Sequence, residues 1–119
     1  MISPKLNSYI HHAGENGRCC FEEDSEAANA AYWALAREYE ILVNNGELNL
    51  LFSLYEHDNK WVQIWAAAHP LEVDEARALA KLQQLLKAPE QFVSHSAKYT
   101  LQEWKLGELH FLPSRRSDQ

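Results

Sequence analysis

The chain has 119 residues, of which 46% are hydrophobic, and 17 acidic against 11 basic side chains leave a formal net charge of −6. That length suits one domain with a core of its own. The acidic balance argues against direct nucleic-acid binding, because phosphate contacts need clustered Lys and Arg, and no stretch approaches the roughly 20 apolar residues of a membrane span.

With four Gly, four Pro and no period-two alternation, the pattern predicts an all-α fold of about six helices. The expected organisation is a single helical domain over residues 1–112 and a flexible tail over 113–119. The N-terminus, MISPKLNSYIHH, has no apolar run resembling a signal peptide, so a reducing cytoplasm is the expected setting. Cys19 and Cys20 are adjacent. A disulfide between neighbours needs strained geometry, so two reduced thiols are expected.

The first predicted helix covers residues 3–13, with Ser3 as N-cap and Pro4 in the first turn. Leu6, Tyr9, Ile10 and Ala13 follow at helical spacing, and Gly14 and Gly17 then break the pattern. His11 and His12 read as a helix-end pair near the C-terminal carbonyls. They point about 100° apart, which is unsuited to sharing a metal.

The longest predicted helix covers 24–45. Asp24 or Ser25 caps it, and Glu22, Glu23, Asp24 and Glu26 complement its positive end. Ala28, Ala31, Tyr32, Leu35, Tyr39, Leu42 and Val43 form the buried stripe, and Asn45-Gly46 is the stop. Trp33 lies about 100° or more off that stripe, among Asn29, Arg37 and Glu40. Three roles compete for it: covering the core edge, packing on the first helix, or anchoring a partner.

Glu47 to His69 reads as two short antiparallel helices. Leu48, Leu50, Leu51, Phe52, Leu54 and Tyr55 leave the first little solvent face. His57-Asp58-Asn59 is the turn, where Asp58 or Asn59 accepts from the N–H groups opening the second helix. On that second helix Ile64, Ala68, Trp61, Trp65, Val62 and Ala66 span roughly 200° of arc, which requires neighbours on two sides. Pro70 ends it at His69. A helix over 73–87 follows, with Ala76, Leu79, Leu82 and Leu86 as its stripe, widened by Leu85 and Ala78. The last helix covers 90–106, with Phe92, Val93, Ala97, Leu101 and Trp104 at helical spacing and Gly107 as stop. Leu109, Phe111 and Leu112 are expected to dock on the core.

His57-x-Asn59-x-x-Val62-x-x-Trp65-Ala66-Ala67 resembles the second helix of a HEAT-like repeat. Together with Ser96-Ala97-x-x-Thr100-Leu101-x-x-Trp104-x-x-Gly107, it makes residues 5–110 similar to an uncharacterised bacterial family of small HEAT-like helical domains. The resemblance implies antiparallel helical pairs stacked in a short right-handed solenoid. Proteins of this kind occur among bacterial immunity proteins, which implies binding of a cognate secreted toxin.

The residues themselves spell out no reaction. The six His (His11, His12, His57, His69, His95, His110) form no HExxH and no His-Cys cluster, and neither a phosphate loop nor a Glu-x-x-His pair is present. No catalytic, cofactor or metal residue is therefore assigned. The expected function is binding of a cognate toxin, nuclease or nucleotide-handling, at about 1:1 through an acidic surface. Glu22, Glu23, Asp24, Glu26, Trp33 and Glu40 are candidate contacts, with the turn Glu56, His57 and Asp58 and a second anchor, Trp61. Neither nucleic acid nor membrane is an expected partner. A homo-oligomer is compatible with the sequence but not indicated by it. The alternative is a HEAT-like scaffold or adaptor that associates with other proteins or with itself.

Overall fold

The computed structural model describes residues 3–109, the Phe21 side chain excepted. Every regular element among them is helical. There are five α-helices: α1 (Asn7–Phe21), α2 (Ser25–Asn44), α3 (Lys60–Ala68), α4 (Glu75–Leu85) and α5 (Gln91–Lys105). Short 310 helices cover Pro4–Leu6, Leu48–Leu54 and His69–Glu72. The chain divides into two units, Met1–Gln63 and Ile64–Gln119. The expected docking of Phe111 and Leu112, the tail over 113–119 and His110 lie outside the described residues.

In the first unit, Ser3 Oγ accepts the Lys5 N–H at 3.2 Å and Pro4 opens a 310 turn that runs into α1. Lys5 pairs with Glu47. α1 does not stop at Ala13, and this corrects the predicted break. Gly14 and Gly17 are close-approach positions inside the helix. A Cβ on Gly17 would fall inside the Trp61 indole, and one on Gly14 would meet the Asn59 side-chain amide at 3.3 Å. His11 and His12 therefore sit mid-helix rather than at its end, their rings 5.3 Å apart.

α1 and α2 form an antiparallel hairpin: Asn16, buried late in α1, donates Nδ2 to the Ala28 carbonyl in the first turn of α2 at 2.9 Å. The buried face of α2 comprises Ala31, Leu35, Ala36, Tyr39 and Leu42, in line with the predicted stripe. At its end Gly46 takes φ 70° and the Glu47 N–H reaches the Leu42 carbonyl at 2.8 Å. That turn closes the helix with a left-handed glycine.

The same turn closes α1, but with glutamate in the glycine position. Glu23 has φ 60°, its N–H reaches the Cys20 carbonyl, and the Asp24 N–H reaches Cys19. Glu23 is the one non-glycine with positive φ among the described residues. An L-residue there costs about 1 kcal/mol. Glu23→Gly is expected to stabilise the fold by about 1 kcal/mol, a rise of about 4 °C in Tm; a calorimetric scan showing no rise would remove the strain argument.

The segment Leu48–Leu54 is 310 rather than α. Leu48, Leu51 and Leu54 recur every third residue, the 310 period; Leu51 and Leu54 are buried and Leu48 half-buried. Asn59 then opens α3, its Oδ1 accepting the Trp61 N–H at 2.9 Å. Gln63, outside the predicted apolar arc, is buried and donates Nε2 to the His57 carbonyl at 2.6 Å.

In the second unit, Pro70 starts the buried 310 turn His69–Glu72. α4 then presents Ala78, Lys81, Leu82 and Leu85 inward. This corrects the predicted stripe: Ala76 and Leu86 are exposed, and the Lys81 stem takes an inner position while its Nζ donates to Gln84 Oε1 at 2.9 Å. α4 and α5 run antiparallel, since Trp104 near the end of α5 donates Nε1–H to Glu75 Oε2 at the start of α4, at 2.7 Å. Gly107, φ 75°, ends α5, with the Glu108 N–H on the Glu103 carbonyl at 2.9 Å.

Candidate functional site

The tip of the α1–α2 hairpin gathers Glu22, Glu23, Asp24 and Glu26, all exposed. They are not equivalent. Asp24 Oδ1 accepts the Ala27 N–H at 3.1 Å, so that carboxylate caps α2. Glu22 is bound to Arg18 Nη1 at 2.8 Å, and the same guanidinium grips Glu15 at 2.8 Å. That hydrogen bond from Arg18 holds the Glu15 carboxyl below its ordinary value. Glu15 and Arg18 were not singled out from the sequence. Their i,i+3 and i,i+4 spacing with Glu22 has meaning only if the helix runs on to Phe21, and the two glycines concealed that. Glu23 and Glu26 take part in neither the cap nor the Arg18 pairs.

Beside the tip lies an open hollow of about 480 Å³ lined by Cys19, Cys20, Glu23, Ser25, Ala28 and Asn29. Cys19 is buried, Cys20 is exposed, and both are free thiols. Partial burial, and then the neighbouring Cys19, push the Cys20 thiol up. This is opposite to what an activated nucleophile needs.

Down α2 from the tip, Glu26, Trp33 and Glu40 stand seven residues apart on one line, successive members about 10.5 Å along the axis and 20° around it. Trp33 is 55% exposed and meets Tyr32 edge-on at 5.0 Å. Ala30, Arg37 and Ile41 lie on the same exposed side. The remaining candidates are elsewhere in the first unit. Glu56, His57 and Asp58 make the turn before α3, where His57 Nδ1 accepts the Asn59 N–H at 3.0 Å. Trp61 is half-buried, with its indole over Gly17 of α1.

Two buried groups stand apart from this face. Burial raises the Tyr9 hydroxyl, with smaller contributions from Tyr39 and Tyr55 nearby. His69 is 1% exposed and stacks on Trp65 at 5.2 Å. Burial lowers its pKa to about 3, opposed only by its hydrogen bond to the Trp65 backbone. It is a neutral imidazole at physiological pH. Among the described residues no three His, Cys, Asp or Glu are grouped to hold a metal ion. No helix among them is long and apolar enough to cross a membrane.

The fold and this face define a class: an all-α protein with a helical hairpin that carries an acidic tip and an exposed tryptophan. No family model, curated protein or solved structure matches the chain.

Proposed function

We propose that the chain is a binding protein of the immunity kind, which holds a cognate secreted toxin through the α1–α2 hairpin. The observation that carries the reading is Trp33. A large aromatic more than half exposed, flanked by carboxylates one heptad away on each side, is the composition of an interface anchor. The acidic tip suits a toxin with a basic cleft, nuclease or nucleotide-handling, since opposite charge raises the association rate and rejects wrong partners. The HEAT-like resemblance points the same way.

The test is co-expression with the product of the neighbouring gene. Rescue of growth and a 1:1 complex are expected. Trp33→Ala should then raise Kd about 30-fold, about 2 kcal/mol. Lys in place of Glu22, Glu23 and Glu26 should mainly slow association and flatten its salt dependence. A neighbour that is harmless or does not bind would sink the reading. A HEAT-like adaptor is the second reading, favoured by two exposed apolar side chains, Tyr99 on α5 and Leu106 at its C-cap.

A further inference from the structure

We infer that the outer face of α2 pairs antiparallel with the same face of a second copy of this chain, with Trp33 set against Ala30 and Arg37 against Glu26. The inference does not depend on the toxin reading.

Glu26, Ala30, Trp33 and Arg37 fall within about 60° of arc on α2, and all four are exposed. Arg37 is the clue. A cation on this face is out of place for a uniformly basic partner, which would meet it with like charge. A second copy resolves this. With a two-fold axis crossing α2 between Ala31 and Tyr32, Arg37 of each copy lies opposite Glu26 of the other. The same axis sets each Trp33 beside the other copy's Ala30. That residue is small enough to let two helices approach to the 8–10 Å usual for packed pairs. Every contact is made twice, as an isologous interface requires. Centring the axis on Trp33 places Glu26 against Glu40 and stacks two indoles on the axis. A face of three turns makes a small interface, so the dimer is weak and exchanges. It covers the surface that holds Trp33, so a tighter partner there would displace it.

The test is sedimentation or light scattering of the full chain across concentration. A dimer is expected at about 300 µM, dissociating on dilution to a few micromolar, as small interfaces do. Glu26→Arg alone and Arg37→Glu alone should each weaken association at least tenfold, as should Trp33→Ala. The double charge swap, Glu26→Arg with Arg37→Glu, should restore the dimer, which a loss of folding could not mimic. A chain that stays monomeric at the highest concentration overturns the inference. So does a dimer indifferent to the single changes, or one the double swap fails to restore.

Discussion

Gly17→Ala is expected to destabilise the first unit by about 3 kcal/mol, the upper range for overpacking. In an ordinary helix interior the same change would stabilise by about 1 kcal/mol, because alanine has the better propensity. The sign here is decided by the neighbour. Gly17 is buried, and the added Cβ would overlap the five-membered part of the Trp61 indole rather than the end of a flexible chain. The ring must leave its seat on α1, or α1 must move. Gly14→Ala is the control. Its Cβ would meet only the Asn59 side-chain amide at 3.3 Å, which can turn aside, so the propensity gain and the small displacement should nearly cancel. Urea denaturation of both variants, and of Gly17→Ala in a Trp61→Ala background, checks this. With the indole removed, the alanine at 17 should become neutral or stabilising. Equal costs in the two backgrounds would mean that the clash is not the cause.

Stability is expected to fall as pH drops from about 6.5 towards about 3, at up to about 1.4 kcal/mol per pH unit, through His69. Above the ordinary imidazole value of 6.5 the ring is neutral both folded and unfolded, and its contribution is complete. Below it the unfolded chain takes up a proton, whereas the folded ring, buried against Trp65 with a pKa of about 3, does not. The unfolded state then binds more protons, and acid favours it. Comparison with a His69→Gln variant from pH 6.5 to 5 isolates this effect. His69→Gln keeps a donor for the Trp65 carbonyl and removes the titration. The difference in unfolding free energy between the two proteins should narrow steadily across that interval. Parallel pH profiles would show that His69 is charged or exposed in the folded state.

Much of the helical order was legible because its causes are local. Asp24 caps α2 and Asn59 opens α3 through side-chain bonds to N–H groups two or three residues on. Gly46 and Gly107 stop helices because only glycine takes their φ without cost. The placement of Trp33 followed from helical-wheel arithmetic alone. The predicted break at Gly14 and Gly17 failed because it depended on groups distant in sequence. Glycine within a helical pattern is a breaker on propensity grounds, unless an indole from residue 61 needs its space. Trp61, a second anchor candidate from the sequence, sets one face of its indole over Gly17. Two of the four tip carboxylates were already committed, Asp24 to its cap and Glu22 to Arg18, and the second of these required α1 to continue.

By itself, then, the sequence determined the all-α class, the main starts and stops, the inner stripe of α2 and the place of Trp33 off that stripe. All of these follow from a 100° step and from bonds spanning a few residues. Only the tertiary structure decided that Gly17 is a seat for Trp61, that Glu23 holds a left-handed turn where glycine is the usual residue, that α4 turns Lys81 inward, and that His69 is neutral. The reason is physical. Steric overlap and desolvation depend on which atoms the folded chain brings within a few ångströms, and local periodicity carries no information about those atoms.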